Sequence, residues 1–191
     1  MLRRTARFPI PMLLLLAACG GNGTENTPTE APKDLVDPAV MVHRIRAQED
    51  SLFAKQEFDR RGAQALMDVY KTYQTTFPND TMAPEYLFRA AGLSKALGDP
   101  RASVELYDRI IKTYPEWRRI ASTYYMKAFT IDDGLNEKGR AKQAYEEVIM
   151  RFPDHPFAKD ARAMIDNLQY TDEELIERFK KMNADSATAR K

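Results

Sequence analysis

Apolar residues recur in this chain at the spacing of one face of an α-helix. The clearest case is centred on Tyr145, with apolar residues one position before it and three, four and seven positions after it. An apolar stripe at these intervals predicts an amphipathic helix whose charged residues, such as Glu146 and Arg151, face solvent. Pro153 follows directly, and it ends the helix because the residue before a proline is pushed out of the α region.

The same pattern occurs twice more, centred on Tyr107 and Tyr70, so the chain contains a repeat. The closing prolines, Pro78, Pro115 and Pro153, are 37 and 38 residues apart. Self-similarity at a period of about 20–50 residues is typical of tandem repeats. The aromatic residues that recur at helical spacing are therefore predicted to pack in the core: Tyr70, Phe77, Tyr107, Tyr114, Tyr145 and Phe152.

A second helical segment precedes two of these helices, at residues 84–97 and 122–132. Each segment ends near a glycine, Gly98 or Gly134, the residue type that most readily closes a helix. The repeat unit is thus predicted to be a helix, a tight turn, a second helix and a proline. No run of alternating β-branched residues occurs, so a sheet is not expected.

These residues resemble the tetratricopeptide repeat (TPR). That motif has a glycine near the turn between its two helices, small and aromatic residues at fixed positions, and a closing proline. In the second copy, Ala91, Gly98, Tyr107 and Pro115 match its offsets. The resemblance implies an all-α, TPR-like helical-hairpin solenoid over residues 38–182, with about three repeats plus C-terminal capping helices.

The pattern sets the expected bounds of the helices. The predicted helices cover residues 39–57, 63–77, 84–97, 101–114, 122–132, 140–152, 156–168 and 172–182. Asp37 and Pro38 have the residue types that cap the start of a helix. A capping box of Thr171 and Glu174 begins the last helix, whose apolar residues should cover the end of the stack. Residues 183–191 are polar and are expected to form a frayed tail.

Residues 1–18 have the features of a secretory signal peptide, with Arg3, Arg4 and Arg7 before a short apolar run. The run is too short to span a bilayer as a helix. It ends in Leu-Ala-Ala-Cys, which resembles the bacterial lipobox, and Cys19 is the only cysteine of the chain. The resemblance implies that Cys19 is lipidated and becomes the first residue after cleavage. The alternative is an ordinary signal peptide with a chance cysteine.

Residues 19–37 are predicted to be the lipidated cysteine and a disordered tether rich in Gly, Asn, Thr, Pro and Glu. The 18 residues after Cys19 have a root-mean-square reach of about 25 Å. Gly20, rather than an aspartate, follows the cysteine. The lipobox resemblance therefore favours a lipid anchor in the bacterial outer membrane, with the domain facing the periplasm. Exposure on the cell surface stays open.

Composition argues against several classes of function. The chain has 29 basic and 28 acidic residues, and cleavage after residue 18 would leave a net charge of −2. Such a balance gives no electrostatic argument for nucleic-acid binding. His43 and His155 belong to no metal-binding motif, and no phosphate-binding loop or nucleophile elbow occurs. We therefore expect no cofactor, no metal, no small-molecule substrate and no enzymatic activity.

Aromatic residues outside the repeated register are candidates for partner binding. Phe88 and Tyr125 fall at the same repeat position, in the helix that lines the concave, peptide-binding groove of TPR domains. The resemblance implies that this groove binds protein partners, with further contacts from nearby residues: Arg89, Lys127 and Phe129. Trp117, in a turn between repeats, is a second exposed candidate. The alternative is that these rings pack between adjacent repeats.

A lipobox followed by TPR-like repeats resembles the BamD-type outer-membrane assembly lipoproteins and the short TPR lipoproteins of the Bacteroidota. The resemblance implies a lipid-anchored periplasmic adaptor that binds protein partners, as a scaffold in outer-membrane protein assembly. One alternative is a structural organiser of the cell envelope, linked to peptidoglycan or to the Tol-Pal system. The other is an envelope enzyme.

Overall fold

The computed structural model describes residues 37–188, and this part of the chain is all-helical. Eight α-helices and one π-helical turn follow one another: α1 (Pro38–Phe53), α2 (Arg60–Thr76), α3 (Ala83–Ala96), α4 (Pro100–Thr113), α5 (Ile120–Phe129), the π turn (Thr130–Gly134), α6 (Lys138–Arg151), α7 (Pro156–Asn167) and α8 (Asp172–Thr188). No strand occurs within these residues. The predicted all-α class is confirmed.

Short polar side chains start several of the helices. Asp37 caps α1 by accepting a hydrogen bond from the Ala39 backbone N–H at 2.7 Å. Asp59 caps α2 by accepting from Gly62 N–H at 2.9 Å, so α2 begins three residues before its predicted start. Each cap satisfies a backbone donor that has no partner within the helix.

Gly98 closes α3 in the way that the sequence predicts. Its φ of +91° lies in the left-handed region that side chains disfavour. The following residue, Asp99, donates its backbone N–H to Ser94 O at 2.9 Å and accepts from Ala102 N–H with its side chain. One short segment thus ends α3 and starts α4.

Each helix from α1 to α6 packs against the next helix along the chain. The buried apolar residues form two clusters, one within α1 to α4 and one within α4 to α7. The aromatic residues at the centre of the repeated pattern lie in these clusters, with Tyr70 and Tyr107 only 1% exposed and Tyr145 fully buried. Their predicted packing role is confirmed.

The third predicted hairpin contains a π-helical turn that the pattern did not indicate. The segment expected at residues 122–132 is α-helical only to Phe129, and Leu135 then donates its backbone N–H to Thr130 O at 3.1 Å. A π turn adds one residue to a helical turn. Gly134 lies so close to α4 that an added Cβ would come within 2.7 Å of Pro100 Cβ.

The C-terminal helices differ from each other in packing. α7 packs on α6 and α5, with Ala158 and Ala161 buried, and so covers the end of the second cluster. α8 starts at the predicted capping box, in which Thr171 N–H donates to Glu174 Oε2 at 2.8 Å. It continues to Thr188 instead of ending near Met182, because no glycine or proline interrupts it. Ile176 is 53% exposed, so the expectation that the apolar residues of α8 cover the stack is wrong for this side chain.

Candidate functional site

Phe88 lies on α3, half-buried between two other aromatic rings. Its ring packs edge-on against Tyr107 of α4 at 5.5 Å and against Trp117 at 5.8 Å between centroids. Trp117 belongs to the turn that precedes α5. Phe88 therefore joins the second predicted repeat to the start of the third.

Tyr125 on α5 makes the equivalent contacts one repeat later. Its ring lies 5.8 Å from Tyr145 of α6 and stacks on Phe157 of α7 at 4.8 Å. The shared repeat position of Phe88 and Tyr125 thus corresponds to a shared type of contact. These contacts favour the interpretation that the two rings pack between adjacent repeats, since each has another ring on two sides.

Arg89 belongs to a charged network that joins three helices. Its guanidinium donates to Glu49 of α1 at 2.5 Å and to Glu85 of α3 at 3.1 Å. Arg119, at the start of α5, donates to the same Glu85 at 2.8 Å and lies over the Phe88 ring at 4.1 Å. The network therefore runs from the first predicted repeat to the third.

The network shifts the pKa of its members. Burial on its own raises the pKa of Glu85, but hydrogen bonds from Arg119 and Arg89 outweigh burial and bring that pKa below its usual value. Burial likewise disfavours the charged form of Arg89, and the hydrogen bonds to Glu49 and Glu85 raise its pKa overall. Both groups are therefore held in their charged forms. A partner that uses Arg89 must compete with two carboxylates of the chain itself.

The two remaining α5 candidates also make contacts within the chain. Lys127 forms an ion pair with Asp108 of α4 at 2.6 Å. The Phe129 ring lies under the Lys95 ammonium group at 4.2 Å, and Lys95 in turn pairs with Asp133 at 2.6 Å. These interactions connect α3, α4 and α5.

Trp117 is half-buried, which corrects the prediction that it is exposed. Its ring packs against Phe88 because the turn before α5 folds back over α3. Trp117 nevertheless lines a groove of about 700 Å³ between the turn after α2 and the turn after α4. The groove is lined by Pro78, Asn79, Asp80, Thr81, Pro84, Thr113, Tyr114, Pro115, Glu116, Trp117 and Arg118.

Tyr114 connects the two sides of this groove. Its hydroxyl donates to Pro78 O at 2.8 Å and accepts from Gln74 Nε2 at 3.1 Å. The sequence pattern placed Tyr114 among the packing aromatics and did not indicate that it lines a groove. Its position directly before Pro115 is the one available signal, since the proline ends the helix there and leaves the ring in a turn.

The groove offers ring faces and prolines together with charges of both signs. Asp80 and Glu116 lie in it with Arg118, so no single charge dominates. Grooves lined by aromatic rings are suited to extended or proline-containing peptide segments. Within residues 37–188, no group of acidic, histidine or cysteine side chains is arranged to hold a metal ion.

The predicted membrane anchor precedes the part of the chain that the structure describes. The predicted signal peptide, the predicted lipidation site Cys19 and residues 20–36 lie outside the described residues. Among the described helices, none combines the length and the apolar character that a bilayer span needs. A comparison of the sequence with models of known protein families and with curated proteins finds no match.

Proposed function

We propose that this chain is a lipid-anchored periplasmic adaptor of the tandem TPR type, which binds protein segments as a scaffold in outer-membrane protein assembly. Two features of the sequence support the proposal. One is the lipobox-like Leu-Ala-Ala-Cys that ends at Cys19, and the other is the repeat closed by Pro78, Pro115 and Pro153. The assignment to outer-membrane assembly rests on the family resemblance.

The helical packing is consistent with tandem hairpins. Consecutive helices pack against each other, and the tyrosine at the same position of each repeat is buried. A stack of this kind presents turns at its edges and helix faces at its sides, both of which serve as binding surfaces in repeat proteins. An adaptor function needs such a surface and no catalytic group.

The groove beside Trp117 is the observation that carries the proposal. It combines two aromatic rings, Trp117 and Tyr114, with three prolines: Pro78 and Pro115 in the turns after α2 and α4, and Pro84 in the first turn of α3. Rigid aromatic side chains provide contact area at low entropic cost and are frequent hot spots of protein interfaces. The groove is thus the partner-binding site we propose. The Phe88 ring packs against Trp117 and helps to hold it in position.

Capture of partners from living cells tests this site. Cells are crosslinked, the protein is recovered by affinity, and the bound proteins are identified by mass spectrometry. Thr81→Arg would place a long charged side chain in the groove without altering the core, because Thr81 is exposed at the groove wall. Thr72→Arg, at an exposed position of α2 outside the groove, is the matched control.

We expect wild type and Thr72→Arg to recover the same outer-membrane assembly proteins, and Thr81→Arg to lose them while keeping its helical circular dichroism. Recovery that is equal in all three proteins would remove the groove from the binding site. Recovery of peptidoglycan-binding or Tol-Pal proteins would replace the assembly role with an envelope-organising role.

A further inference from the structure

The connection between α1 and α2 differs from the equivalent connections later in the chain. It has six residues, whereas the α3–α4 connection and the connection between the π turn and α6 have three each. It also carries exposed aromatic rings, with Phe53 at the end of α1 being 68% exposed and Phe58 being 54% exposed. Single exposed apolar residues are common on protein surfaces, whereas exposed apolar residues that are grouped together mark contact surfaces. The two exposed rings in this short segment therefore indicate a contact surface.

The local structure keeps both rings outside the core. Leu52 packs partly buried against the first apolar cluster and occupies the inward position at the end of α1. Asp59 caps α2 and pairs with Lys55, which fixes the course of the connection. Gly62 lies directly against Leu52 and Asp59, because a Cβ at this position would come within 3.1 Å and 2.8 Å of their nearest atoms.

Basic residues flank the two phenylalanines in the sequence. Lys55 is half-exposed, and Arg60 and Arg61 at the start of α2 are exposed, with the Arg60 guanidinium donating to Leu97 O at 2.7 Å. The acidic residues of the segment are Glu57 and Asp59. Asp59 pairs with Lys55, so Glu57, Arg60 and Arg61 are the charged residues of the segment without an ion pair among the described contacts. Aromatic rings with lysine and arginine beside them are the combination that lies at the boundary between headgroups and acyl chains.

The proposed anchor brings this segment within reach of a bilayer. The 18 residues between Cys19 and α1 have an expected reach of about 25 Å. α1 has 16 residues and is about 24 Å long, so the tether can span the distance even if α1 stands upright on the surface. Tethering also raises the effective concentration of the segment at the lipid surface, so a weak patch is sufficient.

We propose that Phe53 and Phe58, flanked by Lys55, Arg60 and Arg61, form a lipid-docking patch that contacts the bilayer in which the chain is anchored. The patch holds the α1–α2 end of the domain against the membrane and limits the orientations in which the domain presents its other surfaces. This inference rests on the proposed lipid anchor.

Fluorescence quenching tests the patch directly. The full-length lipidated protein is reconstituted into vesicles of phosphatidylethanolamine and phosphatidylglycerol whose acyl chains carry bromine, which quenches tryptophan on contact. Phe58→Trp reports on the patch. Met150→Trp, at a position of α6 that is 72% exposed, is the matched control. Native Trp117 contributes the same background to both proteins.

We expect the brominated lipid to quench the fluorescence of the tryptophan introduced by Phe58→Trp and not that of the tryptophan introduced by Met150→Trp. A second change, Phe53→Ala in the Phe58→Trp protein, should remove most of this quenching with unchanged circular dichroism. Equal quenching of the two reporters in a protein that floats with its vesicles overturns the lipid-docking patch alone. A protein that dissociates from the vesicles would contradict the proposed lipid anchor. It would also overturn the lipid-docking patch, which depends on that anchor. Crosslinking of the Phe58 position to a second protein in place of lipid would likewise overturn the patch.

Discussion

The charged network between α1, α3 and α5 gives the sharpest prediction about stability. Glu85 is its centre, because it accepts hydrogen bonds from both Arg89 and Arg119 while only 14% of its side chain is exposed. Glu85→Gln keeps the size of the side chain and removes its charge. We expect this change to destabilise the fold at neutral pH.

The expected size of this destabilisation follows from how exposed Arg89 and Arg119 are. A hydrogen bond to a charged group contributes about 1.5–3 kcal/mol when it is buried, and an exposed ion pair contributes about 0–1 kcal/mol. Arg89 and Arg119 are 40% and 36% exposed, so solvent screens each interaction in part. We therefore assign about 1 kcal/mol to each arginine and about 2 kcal/mol to the substitution.

The effect of pH has a defined sign. The pKa of Glu85 is lower in the folded protein than the usual value of a glutamate, because Arg119 and Arg89 donate hydrogen bonds to its carboxylate. Its stabilisation is therefore fully present above about pH 4.5 and is lost as the pH falls through the lower pKa of the folded state. The difference between Glu85→Gln and wild type should be constant near neutral pH and shrink in acid.

Thermal unfolding, monitored by circular dichroism, measures both the destabilisation and its dependence on pH. For a domain of this size, about 2 kcal/mol corresponds to a fall in Tm of roughly 4–8 °C. Glu105→Gln is the matched control, since Glu105 is an exposed carboxylate of α4 without an ion pair among the described contacts. If Glu85→Gln unfolds at the same temperature as Glu105→Gln at neutral pH, the network does not stabilise the fold.

Three further changes probe the core and its turns. Tyr107→Ala should cost about 3–5 kcal/mol, because it removes a ring that is 1% exposed, and an unchanged urea midpoint would contradict the packing role. Gly98→Ala should cost about 1 kcal/mol in the same assay because Gly98 has a φ of +91°, and an unaffected midpoint would contradict that conformation. Burial raises the pKa of Tyr107 to about 12. Tyr107→Phe should therefore remove one phenol ionisation near that pH from the absorbance titration, and an unchanged titration at that pH would contradict the burial.

The local part of the fold follows closely from sequence. Asp37 and Gly98 act as predicted, because a cap depends on residues within one turn of the helix end. The buried tyrosines follow from the spacing of apolar residues, since that spacing fixes which side of a helix is covered. The π turn was missed because it lies at the end of α5, where no further helical turn follows to show the shift that one added residue makes in the apolar pattern.

The candidate site was less predictable, because its contacts join residues that are far apart in the sequence. Arg89 pairs with Glu49, 40 residues earlier, and no periodicity indicates such a pair. Trp117 packs on Phe88, and Tyr114 bonds to Pro78, through turns whose directions are set by tertiary packing. Residue type identified aromatic candidates, whereas the groove between the turns emerged only from the structure.

Photo-crosslinking at the groove tests the proposed adaptor function most directly. A photoreactive residue is placed at Thr81 in the groove or at Thr72 outside it, and the full-length protein is irradiated in living cells. The proposal predicts a discrete adduct with a protein of the outer-membrane assembly machinery from position 81 and none from position 72. The absence of an adduct at position 81, or the same adducts from both positions, would contradict partner binding in this groove.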